Sequence, residues 1–157
     1  MNIRTPPQAT LTFVARFEVD LAPPVEVGDA LLGHRRVVPI VGGRFHGPRL
    51  NGVVEPGGAD WQRVTAGGTA IIDTRYLLRT EDGVPIIIYT EGFRRGPPEV
   101  LARLQRGDEV SPDEYYFRVL ITFDTGDERY SWLRDSIFVG LALRAANAVV
   151  YDAFMLD

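Results

Sequence analysis

Carboxylates and tyrosines set inside apolar runs are the residues of this sequence best suited to chemistry, and the chemistry they suit is proton transfer. Asp60 stands beside Trp61, Tyr76 follows Asp73 and Arg75, and Glu91 follows Tyr89. A carboxylate in such a strand is either ion-paired for structure or held with a raised pKa as an acid or base. Asp60, Tyr76 and Glu91 are therefore the expected proton handlers, with Asp60 or Glu91 as the base. Arg75 and Arg118 are expected to neutralise an enolate or bind a carboxylate. Trp61, Tyr89, Tyr115, Tyr130 and Trp132 are expected to pack a ligand. Tyr130 and Trp132 lie two apart just after a polar loop, which suits a cavity mouth. Asp60, Tyr76, Glu91, Tyr115, Arg118 and Trp132 are expected to surround one cavity.

What is missing narrows the chemistry further. Among 157 residues there is no cysteine and no lysine, and all 17 basic residues are arginine. Disulfides, thiolate nucleophiles, cysteine metal sites, lysine Schiff bases and Walker-type phosphate loops are excluded. His34 and His46 cannot supply a three-histidine metal site. None of Ser111, Ser131 and Ser136 lies in a Gly-x-Ser-x-Gly setting. No Gly-x-Gly-x-x-Gly follows a strand, so neither metal nor nucleotide cofactor is expected. The formal net charge of −4 argues against a nucleic-acid partner. No apolar run is long enough for a membrane helix and no signal-type stretch opens the chain, so a soluble, cytoplasmic protein is expected.

The elements that must position these residues read as strands. Glycines and prolines punctuate short apolar runs throughout. Leu11 to Asp20 alternates, with Leu11, Phe13, Ala15, Phe17 and Val19 on one face. Val37 to Val41 reads as a strand stopped by Gly42-Gly43, and Phe45 to Val54 as a bent one. Trp61 to Thr65 and Thr69 to Thr80 flank a Gly67-Gly68 turn. Asp82-Gly83 turns the chain into Val84 to Phe93. Pro98 to Arg106 is the helical candidate, with proline at its start and Gly107 as its stop. Tyr115 to Phe123, Ser136 to Arg144 and Ala148 to Met155 complete the strands. About nine or ten strands with one short helix predict one all-β domain over 1–157, an antiparallel barrel or sandwich. Ile71-Ile72 and Ile86-Ile87-Ile88 are apolar on both faces. A barrel around an internal pocket, its outer face packed on a further element or subunit, accounts for that. Self-association as a homodimer or higher homo-oligomer is expected.

Several blocks of sequence carry a family likeness. They are Val38-Pro39-Ile40-Val41-Gly42-Gly43, Gly47-Pro48-Arg49-Leu50-Asn51-Gly52, Pro56-Gly57-Gly58-Ala59-Asp60-Trp61-Gln62, Asp73-Thr74-Arg75-Tyr76 and Phe123 to Leu133. On these the chain resembles the domain of unknown function 3237 family, also called uncharacterised protein family 0311. The resemblance implies a small calycin-like antiparallel β-barrel and leaves the reaction open.

The expected function is cofactor-independent acid/base catalysis on a small apolar or aromatic metabolite: isomerisation, cyclisation, dehydration or conjugate addition. The lysine-free, arginine-rich composition suits a high-GC bacterial host and a biosynthetic role in secondary metabolism. The alternative is a non-catalytic carrier or sensor barrel for a similar ligand. An enzyme should show a carboxylate and a tyrosine facing one cavity with no arginine paired to the carboxylate. A carrier should show apolar walls and a neutral or cationic anchor.

Overall fold

Alternation in strand β1 (Leu11–Leu21) buries Ala15, Phe17 and Val19 and leaves Arg16 and Asp20 exposed. A register shift between Phe13 and Ala15 changes the pattern upstream, so Val14 is buried and Leu11 and Phe13 face outward. The computed structural model describes residues 4–157. After β1 come β2 (Val25–Ala30), β3 (Gly33–His46), β4 (Gly52–Val54), β5 (Ala59–Val64), β6 (Ala70–Thr80) and β7 (Pro85–Arg95). Helix α1 (Pro98–Arg106) precedes β8 (Tyr116–Asp124), β9 (Ile137–Arg144) and β10 (Ala148–Leu156).

These strands close an antiparallel barrel with eight staves. Strands β4 and β5 share the stave between β3 and β6, and among the described residues β2 pairs only with β3. Pairing of β1 with β3, from Arg16↔His46 to Leu21↔Ile40, closes the ring. The expected stop at Gly42-Gly43 is not one, because β3 runs through both glycines. Gly43 has φ +133°, and a Cβ there would lie 2.1 Å from the Glu18 carbonyl oxygen. The glycine is there so that β1 and β3 can approach at the seam. Strand β2 was not expected from the sequence, and Tyr130 to Leu133 lies in a 3₁₀ segment, Glu128–Leu133.

One half of the barrel is solid. Phe17 stacks on Phe45 at 5.2 Å and on Tyr151 at 4.8 Å, and Phe123 meets Phe138 edge-on at 5.1 Å. Each fully buried phenylalanine contributes about 1.5–3 kcal/mol through burial. At the other end α1 lies against the opening. Pro98 starts it, and Gly107 in the left-handed region (φ 83°) ends it, donating its N–H to the last carbonyls. Val100 and Leu104 are buried, and Leu101 and Leu104 face the barrel interior. Among the described residues no helix is long and apolar enough to cross a membrane.

Candidate active site

Between the aromatic half and α1 lies a cavity of about 980 Å³. Its rim is formed by Pro23, Pro24, Glu26, the Ala66–Gly68 turn, Ala146, Asn147 and the C-terminal part of α1. The inward residues follow strand parity. On β5 they are Asp60 and Gln62; on β6, Ile72, Thr74 and Tyr76; on β7, Thr90 and Arg94. Strand β3 adds Arg36, β9 adds Arg144 and β10 adds Tyr151. Val19, Val38, Ile40, Phe117 and Val119 make the walls apolar.

Asp60 is buried, and both its oxygens accept hydrogen bonds from uncharged donors. Oδ1 takes the Asp73 backbone N–H at 3.0 Å and Oδ2 takes Gln62 Nε2 at 2.6 Å. Gln62 in turn accepts Arg36 Nε at 2.7 Å through its Oε1. The chain Arg36–Gln62–Asp60 thus keeps a guanidinium and a carboxylate one amide apart, and among the described residues no ion pair forms on Asp60. Desolvation raises the Asp60 pKa above the ordinary carboxylate range, while its two hydrogen bonds and then Arg94 and Arg36 pull it back.

Arg94 projects inward from β7, its guanidinium 5.8 Å from the centre of the Phe117 ring. Burial, then Arg36 and Arg144, push its pKa down to about 10. Burial, and then Arg36, lower the Arg144 pKa as well. Its Nη1 donates to the Ala148 carbonyl at 3.1 Å, and its backbone N–H donates to the Tyr115 hydroxyl at 2.9 Å. Deeper in the barrel the hydroxyls of Tyr76 and Tyr151 hydrogen-bond each other. Burial raises both tyrosines, so they remain neutral donors rather than bases. Thr74 and Thr90 share a hydroxyl contact at 2.6 Å. Among the described residues no group of three His, Asp or Glu gathers to hold a metal.

Of the residues expected around one cavity, the structure brings only Asp60 and Tyr76 to it. Tyr115 is buried behind the wall and supports Arg144. Trp61, between Asp60 and Gln62, must point outward by alternation and is half exposed. Tyr89 and Glu91 do share a face, but it is the outer one. Arg75 lies 5.2 Å from the centre of the Tyr89 ring, and Glu91 sits opposite Asp73. Arg118 is also outside, near the Tyr116 ring, with Nη1 donating to the Phe117 carbonyl at 2.9 Å. Tyr130 and Trp132 lie away from the cavity. Tyr130 donates to Asp82 at 2.8 Å, and Trp132 packs between the Arg49 guanidinium at 3.8 Å and Phe138. The grouping of six is corrected accordingly.

Sequence reasoning missed Arg36, Gln62, Arg94 and Arg144. The signal for Arg94 was present: Ile86, Ile88 and Thr90 set the inner parity of β7, and Arg94 keeps it. The neighbouring Ile87, apolar yet outward, hid that parity.

Known proteins bear out the family likeness. The family described as "Protein of unknown function (DUF3237)" matches residues 9–156. A UPF0311 protein of Bradyrhizobium diazoefficiens is 40% identical over 128 residues, covering 82% of this chain and 84% of that protein. A crystal structure described as a beta-barrel like protein, from Acinetobacter baumannii, is 46% identical with a TM-score of 0.86, covering 98% of this chain and 99% of that one. A structure described as an enzyme, from Penicillium herquei, shares the fold at a TM-score of 0.73 and 20% identity, with 98% of each chain covered. The chain belongs to the DUF3237 family.

Proposed function

We propose that this member of the DUF3237 family catalyses cofactor-independent proton transfer on a small, largely apolar or aromatic metabolite, with Asp60 as the acid/base group. One observation carries the reading: Asp60 is a buried carboxylate facing a large cavity, held by neutral donors and with no ion pair among the described residues. Asp152 in β10, a carboxylate paired for structure, looks different. Asp152 is clasped by Arg16 through both oxygens, at 2.7 and 2.8 Å.

Ionised Asp60 takes a proton from an acidic C–H or O–H of the bound molecule. The electron pair remains on the substrate as an enolate or alkoxide, and Arg36, tied to Asp60 through Gln62, meets the charge as it develops. Protonated Asp60 then returns the proton at a second position, or a group within the substrate closes on the activated one. Isomerisation, cyclisation and conjugate addition reduce to these steps; in dehydration the enolate electron pair forms the C=C bond as the C–O bond breaks, and protonated Asp60 gives its proton to the leaving hydroxide, which departs as water. The apolar walls keep water from competing. The Penicillium herquei protein is described as an enzyme, so this architecture is compatible with catalysis. A carrier would be served by the same walls and a cationic anchor, but it has no use for an unpaired buried carboxylate.

Carbon-13 NMR titration of the Asp60 carboxyl tests the reading. A proton shuttle requires a midpoint above the ordinary aspartate value of about 3.9. A midpoint at or below that value marks a permanently ionised structural group and removes the proposal.

A further inference from the structure

Asp60 and one developing oxyanion leave most of the charge in the cavity unanswered. Arg36, Arg94 and Arg144 reach the same chamber from β3, β7 and β9, against Asp60 in the wall and Glu26 at the rim. Arg36 gives Nε to Gln62, and Arg144 gives Nη1 to Ala148. Arg94 has no hydrogen bond or ion pair among the described residues, and its neighbour is the Phe117 ring. A guanidinium offers five N–H donors, so most donors of the three arginines have no acceptor among the described residues. Three cations lining an apolar chamber repel one another and lose hydration, and an arriving anion relieves both costs.

Hydrogen bonding separates the cations into two groups. Arg36 is tied to Asp60 through Gln62, its cross-strand partner. Arg94 and Arg144 flank β8 from either side, and Arg94 is in register with Phe117. Neither Arg94 nor Arg144 is hydrogen-bonded to Asp60 or Gln62 among the described residues, so their free donors can hold a group that does not react.

Resting on the reading of this cavity as the working site, we propose that its substrate is an organic anion. The molecule is a largely apolar or aromatic monoanion whose carboxylate or other planar oxyanion seats on Arg94 and Arg144. Its body packs against Ile72 and Val119, and its reactive position faces Asp60. The volume, about 980 Å³, stands near the top of the ~300–1,000 Å³ of pockets that take drug-sized ligands, so the cavity has room for a body of one ring or more.

Calorimetric titration of the purified chain with 1-naphthoate and with its neutral isostere 1-naphthamide, at neutral pH and low salt, tests this. Naphthoate is expected to bind about tenfold tighter or better. Arg94→Gln and Arg144→Gln each remove about tenfold for naphthoate and leave naphthamide unchanged. Arg94→Lys keeps part of the preference, and Arg118→Gln on the outer face keeps all of it. Melting curves of each variant establish that it is folded. Naphthamide binding as tightly as naphthoate overturns the proposal, as does no naphthoate binding at millimolar concentration or full affinity in folded Arg94→Gln. Asp60→Asn is expected to bind naphthoate at least as tightly as wild type, because a like charge is gone. Loss of anion preference leaves the Asp60 titration standing, and an ordinary Asp60 titration leaves the anion preference standing, so the two failures are distinguishable.

Discussion

At the scale of single residues, the cavity holds charges that the fold would be more stable without. Burial lowers the Arg94 pKa to about 10, which means the folded state disfavours the cation. Arg94→Gln is therefore expected to raise stability by about 1–2 kcal/mol, read as a higher Tm, while ligand affinity falls. A lower Tm would mean that Arg94 is a structural pair. Asp60 carries the opposite titration. Its folded pKa lies above the unfolded one, so its contribution is complete below the unfolded value of about 3.9 and is lost as pH rises through the raised folded value. Asp60→Asn should flatten that part of the stability–pH curve, measured by urea unfolding at a series of pH values. An unchanged curve would contradict the burial argument. Asp60 was legible in the sequence because a carboxylate between glycines and a tryptophan is conspicuous. Arg94 was not, because its face is revealed only when the period-2 register is carried from Ile86 to the end of β7.

Among the elements, hairpins and helix followed their local chemistry. The Asp82-Gly83 turn joins β6 to β7, with Gly83 at φ 86°, and α1 starts at Pro98 and ends before Gly107. Elements defined by long-range pairing were hidden. Strand β2 has mostly exposed residues and among the described residues pairs only with β3, so no apolar alternation announces it. Its hold on β3 is polar: His34 contacts Glu26 at 2.7 Å and Asp29 at 3.1 Å. These two contacts raise the His34 pKa above its usual value, the Glu26 hydrogen bond first. A raised histidine stabilises most below its unfolded pKa of about 6.5, and that share is lost as pH rises through the folded value. Amide exchange in Val25–Ala30, corrected for its intrinsic pH dependence, should therefore quicken above neutrality in wild type and show no such change in His34→Gln. Equal behaviour in both would show that β2 is held by its backbone ladder alone. Glu26 lies on the cavity rim, so the same contact shapes the entrance.

For the molecule as a whole, the barrel architecture was readable from strand count and turn spacing, and the sidedness was not. Doubly apolar strands face the cavity on one side and a bare outer surface on the other. Phe93, Leu120 and Leu141 are exposed there on β7, β8 and β9, among Asp73, Glu91, Arg63 and Arg118. We propose that a second copy covers this face, since a two-fold partner can set its arginines against these acids. Sedimentation equilibrium should show a dimer that Leu120→Glu dissociates, and a monomeric wild type at high concentration would refute it. The central claim concerns the cavity, and solvent-hydrogen exchange tests it most directly. An enolisable aromatic ketone, 2-tetralone, and an enolisable aromatic anion, phenylpyruvate, are incubated with the protein in D₂O, and deuterium incorporation beside the carbonyl is followed by NMR. Wild type is expected to exceed the uncatalysed rate, with phenylpyruvate the better substrate, and folded Asp60→Asn to fall back to that rate. Equal rates for wild type and Asp60→Asn, whether fast or at the uncatalysed level, would contradict the account.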